Sequence, residues 1–146
     1  MADLRARALG RSRGGLTTKL HAVTDAKGRP VTLHLTAGQA HDGNTGLGLI
    51  GTLQAGQTLL ADAGYDQNAL REKLAACGAI AQIKPLARRN PTPAFDPKAY
   101  QRRNHIERFF SKVKQFRAIA TRYEKHDDNF LNLIRLASIR ILVARL

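Results

Sequence analysis

A chain of 146 residues is long enough to bury a hydrophobic core, and its single cysteine, Cys77, excludes an intrachain disulfide framework and a thiolate zinc site. No apolar run approaches the length that crosses a bilayer, so no membrane partner is expected. Twenty-four Lys and Arg against eleven Asp and Glu leave a formal net charge of +13, which predicts attraction to polyanions, most often nucleic acid; charge alone does not separate DNA from a ribosomal-type RNA partner.

Residues 1–15, MADLRARALGRSRGG, are Arg-rich and lack the apolar stretch of a secretory signal. With the lone thiol, this fits a reducing cytoplasm. The segment reads as a basic arm in which Arg5, Arg7, Arg11 and Arg13 reach phosphates. Residues 16–24, LTTKLHAVT, and 30–36, PVTLHLT, alternate as strands, and the turn segment Asp25-Ala26-Lys27-Gly28-Arg29 between them predicts a β-hairpin. His21 and His34 lie on its faces as surface or packing residues, and Asp25 as a turn residue.

Asp42 is expected to cap a short helix through Leu47, Leu49, Ile50 and Leu53, weakened by glycines at 43, 46, 48 and 51. Leu59, Leu60 and Ala61 have the pattern of a buried strand that Asp62 closes. An acid at the carboxyl end of such a strand stands where open α/β sheets place ligand chemistry, although an ordinary strand-end aspartate reads the same way. Asp66-Gln67-Asn68 caps a helix through Leu70 and Leu74 that Gly78 stops, and AIAQIK, residues 79–84, is a further strand. Residues 85–97 hold prolines at 85, 91, 93 and 97 and form a loop.

The stretch 100–116, YQRRNHIERFFSKVKQF, has no Pro or Gly and carries Ile106, Phe109, Phe110, Val113 and Phe116 at helical spacing. At about 100° per residue, a single helix gathers Tyr100, Arg103, Glu107 and Lys114 into a stripe roughly 60° wide. That sets one carboxylate among two cations and a phenol, suited to hold a metal ion facing a phosphate-binding groove. An i,i+4 ion pair between Arg103 and Glu107 is the simpler alternative. A final helix from Phe130, capped by Asp127 or Asp128, packs Phe130, Leu133, Ile134, Ala137, Leu142 and Val143.

The order of elements suits a mixed sheet flanked by helices, in which Asp62 and Glu107 converge across one cleft. Oxygen-only donors suit Mg²⁺ or Mn²⁺. Two such ions about 4 Å apart activate a water or 3′-hydroxyl and stabilise the leaving 3′ oxygen of a phosphodiester.

These blocks resemble the DDE transposases of bacterial insertion sequences. Tyr100-x2-Arg103-x3-Glu107-x6-Lys114 matches that family's Y-(2)-R-(3)-E-(6)-K signature at all four positions, and LLADAGYD matches the block around its second catalytic aspartate. GRSRGGLTTKLHAVTD, PVTLHLTAGQAHD and YEKHDDNFLNLIRLA are also similar to family blocks, so the resemblance covers nearly the whole chain. It implies an α/β, ribonuclease H-like fold and DNA transposition by metal-dependent strand cleavage and strand transfer. Asp62 and Glu107 become catalytic and metal-holding, with Mg²⁺ or Mn²⁺ as the ion. Tyr100, Arg103, Lys114, Arg11 and Arg13 become DNA-binding. The implied partners are DNA, at element ends and target, and other copies of the chain.

The family's first catalytic aspartate lies on a strand upstream of the block matched by GRSRGG, and neither Asp3 nor Asp25 fits that place. The expectation is therefore a basic arm, 1–15, followed by a partial catalytic domain, 16–146, without its first strand and without an end-recognition domain. Such a chain would be a decayed gene or the downstream frame of a frameshifted one. A basic DNA-binding remnant without chemistry is the alternative function.

Overall fold

The computed structural model describes residues 8, 10–12, 15–51 and 53–144, with backbone only at 11, 12, 15 and 16. Of the expected basic arm, Arg5, Arg7 and Arg13 lie outside the described residues, as does Asp3. The chain divides into two compact units, residues 1–40 with 105–146 and residues 41–104.

In the first unit, β1 (Gly10–Ser12), β2 (Gly15–Thr24) and β3 (Pro30–Ala37) form an antiparallel sheet in that order. Arg11, read as part of an irregular arm, is carried on β1 opposite Leu16. The expected hairpin is present, with His21 opposite His34 and Leu20 opposite Leu35. Alternation sends Leu20, Ala22, Leu33 and Leu35 to one face, where they meet Phe109, Val113, Phe130, Ile134 and Ile141. His21, on the other face, is buried and hydrogen-bonds Thr36 Oγ1 at 2.8 Å, while His34 is exposed. Both are packing or surface residues, as expected.

Asp25 organises the turn. Its Oδ1 accepts the N–H groups of Lys27 and Arg29, each at 2.9 Å, and its Oδ2 accepts Arg29 Nε at 2.6 Å. Burial alone would raise this carboxyl, but the Arg29 N–H, the Arg29 guanidinium and the Lys27 N–H outweigh it and hold it below its ordinary range. Gly28 has φ +73°, and a Cβ there would make only ordinary contact with His105, whose Cβ and carbonyl oxygen would each lie at 3.5 Å. Gly28→Ala is therefore expected to destabilise the fold by about 1 kcal/mol through backbone strain rather than collision. A denaturant midpoint equal to wild type would contradict it.

The helices of this unit are α4 (Asn104–Val113), α5 (Arg117–Ala120) and α6 (Asp127–Val143). The N-cap of α6 is His126, not either aspartate. Asp127 instead pairs with Arg122 at 2.6 Å, and Arg122 also bonds Thr18 Oγ1 and covers the Phe130 ring. Along α6 the buried set is Phe130, Ile134, Ala137, Ser138 and Ile141. Leu133 and Val143, expected to pack, are exposed, as are Leu136 and Ile139.

The second unit begins with α1 (Asp42–Leu49). His41 occupies the N-cap and makes no side-chain cap bond, so Asp42 is the first helical residue rather than the cap. Of the glycines read as weakening this helix, Gly43 and Gly46 have a packing role, while Gly48 and Gly51 face open space. A Cβ on Gly46 would lie 2.9 Å from Tyr65 Cδ1 and 3.3 Å from Leu70 Cδ2.

β4 (Thr58–Ala61) and β5 (Ile80–Ile83) run parallel in register, Thr58 opposite Ile80, joined by α2 (Asn68–Ala76). A parallel pair requires a long crossover, and the helix supplies it. Leu70 and Leu74 of α2 are fully buried with Ile50, Ala79 and Ile83. α2 ends as expected at Gly78, φ +72°, where Ala79 N–H reaches Leu74 O at 2.9 Å and Gly78 N–H reaches Ala75 O at 3.0 Å.

The secondary structure is α/β, but the one mixed sheet expected is replaced by two sheets among the described residues. The connections explain each pairing: tight turns give the antiparallel sheet and a helical crossover gives the parallel one. The expected continuous helix 100–116 is also interrupted. α3 (Pro97–Tyr100) is followed by a 3-10 turn, Gln101–Arg103, and only then by α4. Asp96 causes this separate start, its Oδ1 accepting Lys98 N–H at 2.8 Å with Pro97 as the first helical residue. The 60° stripe, which assumed one even helix, does not apply across this junction, because 3-10 geometry turns about 120° per residue.

Candidate active site

β4 delivers Asp62 at its carboxyl end, the position where parallel strands gather ligands. The residue stays extended, at φ −79° and ψ 176°, and its Oδ1 accepts Gly64 N–H at 3.1 Å, which starts the 3-10 turn Ala63–Tyr65. Its Oδ2 accepts Arg103 Nη2 at 3.0 Å. The Asp62 side chain is 43% exposed and that of Arg103 23%, so water reaches this ion pair.

Arg103 has a second contact: its guanidinium carbon lies 5.9 Å from the centre of the Tyr100 ring. Phe95 packs edge-on against the same ring, with centroids 5.1 Å apart. The fold thus brings together Asp62, Arg103 and Tyr100, three residues the sequence singled out, within the 41–104 unit.

Residues 6–142 match the family model described as "Transposase DDE domain". The chain belongs to the DDE transposases. The Brucella ovis protein "Putative transposase for insertion sequence element IS6501" is 39% identical over 127 residues, covering 86% of this chain and 98% of that protein. No solved structure matches the chain. DDE transposases act in DNA transposition with the help of divalent metal.

Two further residues, Asp42 and Tyr65, stand beside Asp62. Asp42, dismissed as a cap, directs Oδ2 to within 2.9 Å of where a Gly64 Cβ would stand, and Asp62 Oδ1 lies 3.2 Å from the same point. A side chain at position 64 would push one or both of these carboxylates aside. Tyr65 packs beside them, its phenol pushed up to about 12 by burial first and then by the charges of Asp42 and Asp62, with Arg103 acting the other way. It is therefore a neutral O–H at physiological pH.

The donor chemistry here, partly exposed carboxylate oxygens, fits a hard divalent cation. Asp62 accepts two hydrogen bonds among the described residues, and a carboxylate offers about four acceptor directions. No group of three or more His, Cys, Asp and Glu side chains placed to hold a metal occurs among the described residues.

Glu107 and Lys114 belong to the other unit. Glu107 is exposed in the first turn of α4, where a helix favours negative charge. Lys114 follows the last residue of α4, exposed, with its N–H on Phe110 O at 3.0 Å. Among the described residues no helix is long and apolar enough to cross a membrane.

Asp66, read in the sequence as part of a helix cap, does something else. It is buried, accepts Leu86 N–H at 2.8 Å and Arg71 Nε at 2.8 Å, and lies 3.3 Å from Arg89 Nη1. Burial would raise its carboxyl, but these partners reverse the effect and hold it below the usual carboxylate range. Its nearness to Tyr65 in sequence gave no sign of this, because two of its partners are some twenty residues downstream.

Proposed function

We propose that this chain cleaves DNA strands and joins them to new phosphodiesters in a divalent-metal-dependent reaction, using Asp62 and Glu107 as catalytic carboxylates within a ribonuclease H-like domain. The observation that carries this reading is the carboxylate of Asp62 at the end of β4, gripped by Arg103. Asp62 and Glu107 would hold Mg²⁺ or Mn²⁺, which when bound supplies the positive charge that activates a water or 3′-hydroxyl and stabilises the departing 3′ oxygen.

Arg103 donates to Asp62 Oδ2 and so positions the acid, and its planar guanidinium is the group suited to a non-bridging phosphate oxygen at the same place. The Tyr100 ring limits where the guanidinium swings. Tyr65, kept protonated, does not act as a base. Lys114, Arg11 and Arg13 neutralise backbone phosphates.

The test is strand cleavage and joining on end-containing duplex DNA. Products are expected with Mg²⁺ or Mn²⁺ and none after chelation by EDTA, with recovery when the ion is restored. Cleavage that persists unchanged in EDTA would overturn the reading.

A further inference from the structure

The 41–104 unit has a second cationic surface that the chemistry above does not use. An open groove of about 730 Å³ runs between the start of α2 and the loop 86–93, and Arg71, Arg88 and Arg89 line it with one acid, Glu72. We propose that this groove binds the sugar–phosphate backbone of DNA, separately from Asp62. The proposal rests on the reading of the chain as a DNA-acting protein.

Two of the three guanidiniums are built in. Asp66 binds Arg71 at 2.8 Å and Arg89 at 3.3 Å. Arg71 Nη2 also donates to Ile83 O at 2.9 Å, and Arg89 bonds Asn68 Oδ1. Each guanidinium has five donors in a planar fork, so both retain N–H groups after these bonds. Their rotamers are already restricted before any ligand arrives, which lowers the entropy lost on binding.

The same aspartate holds the opposite wall, through Leu86 N–H at 2.8 Å. Pro91 and Pro93 stiffen that wall further. Arg88 differs from its neighbours: it is exposed and makes no hydrogen bond or ion pair with a described residue. A guanidinium left unpaired beside two fixed ones is an arrangement for a further anion.

The lining decides the class of ligand. It contains no aromatic ring, so bases have no platform to stack on. Leu86 and the two prolines do not enclose an apolar cofactor. What the groove offers is a set of N–H donors and positive charge, the chemistry that recognises phosphodiester oxygens.

The experiment measures binding of a fluorescent duplex by anisotropy in EDTA, over a range of salt, so that chemistry is silent. Wild type should bind with a steep salt dependence; failure to bind at all would sink the DNA reading itself. Arg88→Gln should weaken binding about 3- to 10-fold at low salt and lower the log–log salt slope by about one unit. Glu72→Gln should strengthen binding. Arg135→Gln, on the exposed side of α6, is the control for loss of one charge anywhere. Circular dichroism should show the wild-type melting curve for Arg88→Gln. If wild type binds but Arg88→Gln loses no more affinity or slope than Arg135→Gln, the groove is not a DNA site.

Discussion

Asp62→Asn is expected to lower strand cleavage by about 10³-fold or more while leaving the protein folded. The magnitude follows from removing a preorganised charge that acts on the transition state, where a single such group commonly supplies two to three orders of magnitude. The fold should survive because asparagine retains an oxygen at Oδ1 to accept Gly64 N–H, the bond that starts the turn after β4. The ion pair with Arg103 is lost, but Asp62 is 43% exposed, and pairs this open to water contribute no more than about 1 kcal/mol. Affinity for Mn²⁺, followed by its paramagnetic resonance signal, should weaken together with the rate. Glu107→Gln should act similarly if the two acids share the reaction. Arg103→Lys keeps the charge but not the planar fork, so it should reduce cleavage without matching the loss from Asp62→Asn. Asp62→Asn protein that melts normally and still cuts DNA at the wild-type rate would remove Asp62 from the chemistry.

The largest stability effect is expected at Asp66. Replacing it by alanine leaves Arg71 and Arg89 facing each other without their shared counter-charge and leaves Leu86 N–H without its acceptor. Breaking a buried pair on one side costs about 3–5 kcal/mol, a large fraction of a small domain's total stability. The 41–104 unit should therefore open in the variant. Hydrogen exchange at α2 and β5 reports it directly, and protection equal to wild type would contradict the account.

The sign of the pH dependence follows from the lowered carboxyl. In the unfolded chain Asp66 titrates near 3.8, and in the fold it stays ionised to lower pH. Its contribution is fully present above 3.8 and fades as pH falls through the folded value. Asp25 acts in the same direction. The difference between wild type and Asp66→Ala should accordingly be large at pH 7 and shrink in acid. A gap that widens below pH 3.8 would show that the charge is not what Asp66 supplies.

Much of the local structure was legible in the order of residues, because the forces that set it act over a few positions. Alternation in LTTKLHAVT and PVTLHLT, with a Gly-containing turn between, was enough for the hairpin. The short apolar run before Asp62 was enough for a strand ending at an acid, and Gly78 for the end of α2. The Y-R-E-K spacing and the LLADAGYD block pointed to the family, and the match over residues 6–142 agrees.

Tertiary structure decided which of those residues face one another. Helical periodicity in α6 defines a stripe but not its angle; packing on Phe109, Val113 and Leu35 buries Ile134 and Ile141 and leaves Leu133 and Val143 in solvent. The stretch 100–116 carries no breaker, yet Asp96 and Pro97 start a helix of their own upstream, and a 3-10 turn at Gln101–Arg103 separates it from α4. Asp42 and Asp62 are twenty positions apart in the chain and face each other across Gly64 only because α1 and the end of β4 meet there. Asp66 and Asp62 look alike in the sequence, two acids four positions apart beside the same turn. One is closed in by Leu86, Arg71 and Arg89 and became structural; the other, proposed as catalytic, stays open to water beside Arg103. Burial separates the two roles, and burial is a sum over contacts from distant parts of the chain, which local pattern does not contain.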